Sequence, residues 1–243
     1  MALACGQAVV VDASRSEFAQ VVAQPDGRMT FESSVVPQRT RKAGKWTDID
    51  LELLPGADGL LRPQASAADI AFSGGGAGPL VTVTHAGKTM TMSWPGGSLP
   101  APVVDGDSAT FPNVMTDVDL VVRATRVGFA HVLVIKSAAA AADPAVRQIR
   151  FDLDGDAQVR HSPSGALKAV AGGVVVASAE PAVMWDSRPS AQPARVMGRA
   201  PAADGGTSSV ESPGDAAQVA SVAAQVTGSG DLLLTSPVQR EFD

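Results

Sequence analysis

Apolar and polar side chains alternate with a period of two along most of this chain, and this alternation limits the folds open to it. The pattern runs from residue 17 to about residue 185 and is clear at Met29 and Phe31, and again at Met90, Met92 and Trp94. Successive side chains of a strand point to opposite faces, so each run predicts a β-strand with one buried and one solvated face. The pattern recurs at residues 49–53, 81–83, 118–122 and 149–153.

Short turn sequences rich in Gly and Pro separate these runs, at residues 25–27, 55–59, 74–76, 95–97 and 163–165. Many short strands joined by such turns are typical of a large antiparallel β-sandwich. We therefore predict an all-β fold of this class, with a galactose-mutarotase-like supersandwich as one candidate form. One short helix is predicted over residues 137–147, where alanine is abundant and where Asp143 and Pro144 start a second turn.

Changes in residue composition and in apolar alternation divide the chain into four parts. Residues 1–16 are predicted to be an N-terminal tail, and residues 17–187 the β-sandwich domain. Residues 188–216 are rich in Pro, Gly, Ser and Ala, which is linker composition. Residues 217–243 are predicted to start a following β element that is truncated here, so the chain is interpreted as a piece of a longer protein.

Composition excludes several classes of protein. The chain has 19 Lys and Arg against 25 Asp and Glu, a formal net charge of −6, which argues against a general nucleic-acid binder. Cys5 is the single cysteine, so no internal disulfide and no cysteine-based zinc site is expected. No apolar stretch approaches the ~18 residues of a membrane span, and none is predicted.

Several segments resemble a recurring region of very large exported actinobacterial proteins that also carry LamG-type modules, DNRLRE-type domains or RHS repeats. The resemblance covers residues 17–236 and is strongest in Ala109-Thr110-Phe111-Pro112-Asn113-Val114, followed by Val118-Asp119-Leu120. It continues through residues 25–30, 44–50, 72–76, 91–95, 129–136, 143–147, 165–167 and 181–187. Phe111 and Asp143 depart from the family pattern, which has tyrosine and asparagine there.

This resemblance implies a secreted or cell-surface location, with a signal peptide upstream of Met1 in the family. It also implies a non-catalytic role ahead of further modules of the same polypeptide. The expected partners are therefore neighbouring modules, together with cell-wall or extracellular polysaccharide.

Three acidic residues at alternate positions, Asp152, Asp154 and Asp156, form the candidate metal site. Carboxylate oxygens in this spacing are the ligands of a calcium loop. An EF-hand loop needs a glutamate at its twelfth position, where Pro163 stands. A solvated hairpin turn is therefore the preferred interpretation and a weak Ca²⁺ site the alternative; no other cofactor is predicted.

Trp46, Asp48 and Asp50 form the candidate ligand site. Trp46 is out of phase with the apolar positions that follow it, so it could lie at the surface and stack on a sugar ring. Trp94 follows the phase of Met90 and Met92 and is predicted to lie in the core. His131 alternates in phase with apolar neighbours and is predicted to point inward rather than to bind a metal.

These observations predict a non-catalytic structural or docking module and no enzyme. A carbohydrate-binding module that uses Trp46 and the nearby acids is the first alternative. A sugar-active enzyme on a mutarotase-like fold is the second, since glycosidases need two facing carboxylates and acids share strand faces at residues 48–52 and 117–119.

Overall fold

The structure is a computed structural model that describes residues 2–161, 166–187 and 207–237. The helices are α1 (Ala2–Cys5), α2 (Ala138–Ala142) and α3 (Pro144–Arg147), with a 3-10 turn at Asp12–Ser14. The first five strands, which lie outside the three main sheets, are β1 (Val9–Val10), β2 (Ala19–Ala23), β3 (Met29–Ser33), β4 (Arg39–Lys42) and β5 (Lys45–Asp48). The next are β6 (Asp50–Pro55), β7 (Leu61–Ala65), β8 (Asp69–Phe72), β9 (Val81–His85), β10 (Lys88–Ser93), β11 (Val103–Asp105), β12 (Ser108–Met115), β13 (Val118–Thr125) and β14 (Gly128–Ile135). The last are β15 (Gln148–Gly155), β16 (Gln158–His161), β17 (Leu167–Ala171), β18 (Val174–Ala179), β19 (Val183–Trp185), β20 (Val219–Ser221), β21 (Ala223–Val226) and β22 (Leu232–Thr235).

The largest sheet contains eight antiparallel strands in the order β21-β22-β15-β10-β9-β8-β7-β6. Its register brings the alternating apolar residues into rows. Met92 of β10 lies opposite Val81 of β9 and Leu153 of β15, and Val81 lies opposite Phe72 of β8. Each row presents its apolar side chains to one face of the sheet, as the period of two predicts.

Two smaller sheets share the core of the large sheet. They are the four-stranded sheet β11-β12-β13-β14 and the three-stranded sheet β16-β17-β18. One apolar cluster joins buried side chains of all three sheets, among them Phe72, Phe151, Phe111, Leu120 and Leu167. The predicted all-β antiparallel sandwich is therefore confirmed, and Trp94 lies in its core as predicted.

Two short helices, α2 and α3, occupy the stretch where one helix is predicted. The Ser137 hydroxyl caps α2 by accepting from the Ala140 N–H at 3.2 Å. The Asp143 carboxylate caps α3 by accepting from the Ala145 N–H at 2.9 Å, and Pro144 occupies the first position of that helix. The break falls at Asp143 because proline starts a helix readily but cannot continue one.

The C-terminal strands occupy a different place from the predicted one. Residues 217–243 are predicted to start a following element, but β22 pairs antiparallel with Gln148–Phe151 of β15 inside the large sheet. Leu232 is buried and Leu234 packs against the same core, so their apolar side chains add a further strand to the sandwich. β20 pairs with β19, so this stretch also contacts the strand that ends at Trp185. Residues 188–206 of the predicted linker lie outside the described residues.

A separate three-stranded sheet, β1-β2-β3, forms the N-terminal part of the fold. It draws Val9 and Val10, from the predicted tail, into pairing with β2. All five side chains of β3 are exposed, although their alternation predicts a half-buried strand. The difference arises because, in the described part of the chain, no second layer covers the Met29 and Phe31 side of this sheet.

Candidate functional site

Trp46 lies on a two-stranded hairpin formed by β4 and β5. Ala43 and Gly44 form its turn with φ of 49° and 79°, the left-handed conformation that two-residue hairpins favour. The register places Trp46 directly opposite Arg41. The Arg41 Cζ lies 4.6 Å from the centroid of the indole ring, a cation–π contact that covers one face of the half-buried indole.

The structure brings Trp46 and Asp48 onto one face of β5 but places Asp50 elsewhere. Asp48 is exposed and lies opposite Arg39 in the hairpin. Asp50 begins β6 in the large sheet, and its carboxylate accepts from the Glu52 N–H at 3.1 Å. The three residues thus lie on two different sheets, and Asp50 is engaged locally with its own strand.

Arg39, a residue that was not predicted as functional, fixes the position of the hairpin. Its buried guanidinium donates to the carbonyls of Ser16 and Ala19 at 3.0 and 3.1 Å, and to the Gln20 side chain at 2.9 Å. These bonds join the Trp46 hairpin to the N-terminal sheet. Arg39 belongs to a run of basic residues, and such runs usually lie in solvent, so the sequence does not indicate that its side chain is buried.

The acidic triplet lies on and just after β15 rather than in a hairpin turn, which corrects the preferred interpretation of that motif. Asp152 and Asp154 are exposed on the strand, and the Asp154 carboxylate accepts from the Gly155 N–H at 2.7 Å. The Asp156 carboxylate accepts from the Thr89 N–H at 2.9 Å. Among the described residues, no group of three or more His, Cys, Asp or Glu side chains is arranged to hold a metal ion.

Gly155 explains why this motif contains a glycine. Its φ is 113°, a conformation that side chains with a Cβ rarely adopt. A Cβ at this position would collide with the Thr89 carbonyl of β10. The motif therefore closes the end of the β10–β15 pair, and Asp156 satisfies the backbone group that the strand end would leave open.

The acids at 117–119 are also bound within the fold. The Asp119 carboxylate pairs with the Lys136 Nζ at 2.7 Å and accepts from the Asn113 N–H at 2.8 Å. The Lys136 side chain and this backbone bond hold the pKa of Asp119 below its usual range. The Asp117 carboxylate accepts from the Ser137 hydroxyl at 2.9 Å. Both acids thus hold the irregular end of the β12–β13 pair and the start of α2.

His131 points inward, as predicted, and lies within an aromatic cluster between two sheets. Its ring centroid lies 5.1 Å from that of Phe151 in an edge-to-face arrangement and 6.4 Å from that of Phe129. Phe72 and Trp94 extend the cluster at 6.2 Å from Phe129 and 5.8 Å from Phe151. Burial in this apolar setting lowers the pKa of His131 to about 4, so the imidazole is neutral near pH 7.

Comparison with known proteins finds no matching family model, no significant match among curated proteins and none among solved structures. None of the helices in the described part of the chain has the length and apolar character that crossing a membrane requires.

Proposed function

We propose that this chain is a non-catalytic structural module of a larger secreted or cell-surface bacterial protein. One observation carries the proposal: a single apolar cluster connects the three main sheets, from Leu53 in β6 to Leu232 in β22. Close-packed interiors of this kind deform little, so the sheets behave as one rigid body. Such a body can hold neighbouring modules of the same polypeptide at a fixed distance.

The acidic side chains that the sequence offered as candidate metal or catalytic groups stabilise the ends of strand pairs in this body. Asp156 closes the end of the β10–β15 pair, and Asp119 with Lys136 holds the end of the β12–β13 pair. Arg123 of β13 contacts Asp107 at 2.8 Å and Glu211 at 3.1 Å, so it links the four-stranded sheet to the segment before β20. A structural role explains each of these contacts without a substrate.

Thermal unfolding of the complete chain tests the proposal. Far-UV circular dichroism should show one cooperative β-type transition whose midpoint is the same with and without Ca²⁺ and with and without a pool of bacterial polysaccharides. A ligand that binds the folded state raises the midpoint by mass action. A rise with any additive would contradict a purely mechanical role, and separate transitions would contradict a single rigid body.

The Trp46 hairpin supports carbohydrate binding as a second candidate function. Arg41 orients the indole from one side, and the exposed Asp48 lies on the same face of the hairpin, where its carboxylate can accept from sugar hydroxyls. Affinity electrophoresis in polysaccharide gels tests this function. Trp46→Ala should abolish retardation, while Val127→Ala, at an exposed apolar side chain of the β13–β14 turn, should leave it unchanged.

A further inference from the structure

We propose that two copies of this chain associate by pairing their β3 strands antiparallel, with Phe31 at the centre of the pair. This inference is independent of the proposed structural role, because it concerns the N-terminal sheet and not the core of the sandwich. It rests on the edge of β3 that no other described strand covers, on the exposed apolar residues of that strand, and on the charges that flank them.

The hydrogen bonds around β3 define which backbone groups face away from β2. Beyond one end of β3, the Ser34 N–H donates to the Phe18 carbonyl at 2.9 Å, and at the other end the Gln24 N–H donates to the Arg28 carbonyl at 2.8 Å. Even-numbered residues of this strand therefore bond to β2, and odd-numbered residues turn their N–H and C=O groups outward. The outward-facing residues are Met29, Phe31 and Ser33.

The outer edge of β3 is open in the described part of the chain, since the sheet order ends at this strand. Proteins usually protect such edges with proline, lysine, a bulge or a covering element. The sequence Met-Thr-Phe-Glu-Ser of β3 has no proline and no lysine, and its pairing with β2 runs without a bulge. Its one charged residue, Glu32, is among the even-numbered residues whose backbone groups bond to β2. The strand is therefore suited to accept another strand.

The apolar side chains of β3 add a hydrophobic contribution to such pairing. Met29 is 65% exposed and Phe31 is 69% exposed. In the register of the sheet, they lie on the same face as Ala23, Val21 and Val9 of the neighbouring strands. Pairing of two sheets through β3 would join two such faces into one continuous apolar surface and place the two Phe31 rings side by side, an arrangement that stabilises cross-strand pairs.

The charges favour a second copy of this chain as the partner strand. In the pairing centred on Phe31, Met29 lies opposite Ser33 of the second copy and Thr30 lies opposite its Glu32, so no two like charges lie directly opposite each other. The two Glu32 side chains are diagonal neighbours once, across the two-fold axis. Arg28, which also pairs with Asp26 of its own chain at 2.6 Å, lies diagonally across from Glu32 of the second copy. The two-fold axis repeats this contact, so two attractive diagonals outweigh the single Glu32–Glu32 repulsion. Diagonal neighbours lie about 7–8 Å apart, which long side chains can span. The chain as a whole carries a net charge of −6, so this edge offers a favourable charge contact within a molecule that otherwise repels its copy.

The mass of the complete chain in solution tests the inference. Size-exclusion chromatography with light scattering at micromolar concentration should give twice the 24.7 kDa mass of one chain. Phe31→Lys should shift the mass to that of a single chain, because a charge at the centre of the edge blocks strand addition. The matched control is Val127→Lys, which replaces an exposed apolar residue of another hairpin and should keep the doubled mass. A wild-type monomer, or a Phe31→Lys variant that keeps the doubled mass, would overturn the inference.

A charge exchange tests the register itself. Glu32→Arg should lower the fraction of dimer, because it places an arginine near Arg28 of the second copy. The double variant Arg28→Glu with Glu32→Arg restores opposite charges and should restore the dimer. A double variant that stays as dissociated as the single one, with an unchanged circular dichroism spectrum, would overturn the Phe31-centred pairing.

Discussion

Strands β3 and β10 have the same alternation of apolar and polar residues but very different surroundings. Met90 and Met92 of β10 are buried against the core, whereas Met29 and Phe31 of β3 are largely exposed. Both strands pair in the register that their alternation requires. The alternation thus determines that a strand forms and which side chains share a face, but burial requires a second layer.

The largest expected effect comes from removing equivalent aromatic side chains in the two regions. Phe72→Ala should lower the free energy of unfolding by about 3–5 kcal/mol, because Phe72 is fully buried and the change leaves a cavity. Phe31→Ala should change the unfolding free energy of the monomer by less than about 0.5 kcal/mol. Urea unfolding at a concentration low enough that light scattering shows the wild type and both variants to be monomeric measures both changes. Equal losses would contradict the contrast between the regions.

Acid should weaken the buried region through His131. The folded state lowers its pKa to about 4, whereas the unfolded chain has an ordinary histidine pKa near 6.5. The unfolded state therefore binds more protons between these values, and the unfolding free energy falls as pH decreases from about 6.5 to about 4. The loss is at most about 3 kcal/mol.

His131→Phe keeps an aromatic ring in the cluster and removes the titrating group. Urea unfolding between pH 7 and pH 4 should show a smaller fall in stability for this variant than for the wild type. The same fall in both proteins would assign the acid sensitivity to other groups.

Gly155 offers an intermediate effect at the edge of the buried region. Gly155→Ala should lower the unfolding free energy by about 1–3 kcal/mol, because the new Cβ meets the Thr89 carbonyl and the residue has a left-handed φ. Gly128→Ala is the matched control, since a Cβ there has no neighbour within 4 Å. Thermal unfolding of the two variants measures the difference, and equal midpoints would show that the β10–β15 end tolerates the collision.

The smallest expected effect is the difference in stability lost when a partly buried ion pair and an exposed ion pair are each broken. Asp119→Asn should cost about 1 kcal/mol, because Asp119 is partly buried and bonds both Lys136 and a backbone N–H. Asp26 also bonds a basic side chain and a backbone N–H, both of Arg28, but it does so at the exposed turn before β3. Asp26→Asn should therefore leave the unfolding midpoint unchanged. Paired chemical-denaturation curves test this. An equal cost at both positions would mean that burial does not decide the strength of these pairs.

Much of the sandwich could be predicted from local patterns, because period-two alternation determines strand faces. Trp94 and His131 point inward as their phase predicts, and Asp143 with Pro144 divides the helical segment as their chemistry predicts. The position of β22 could not be predicted, since pairing with β15 joins residues far apart in sequence and three leucines alone do not specify a partner.

The candidate site was harder to predict for the same reason. Trp46 and Asp48 share a face because they are two residues apart in one strand, but the change of sheet before Asp50 has no local signal. Arg39 is buried by contacts with Ser16, which lies 23 residues away in sequence, and with Ala19, which lies 20 residues away. Sequence spacing predicts contacts within an element, and contacts between elements depend on the tertiary fold.

The pairing of β22 with β15 has a consequence for synthesis of the chain. β15 ends at Gly155, yet its edge stays unpaired until Leu232–Thr235 has left the ribosome. Contacts between residues far apart in sequence form slowly. Until the partner strand is available, the unpaired edge of a hydrophobic strand is prone to aggregate. The growing chain therefore passes through a period in which the Gln148–Phe151 edge of β15 is open to pairing with the wrong strand.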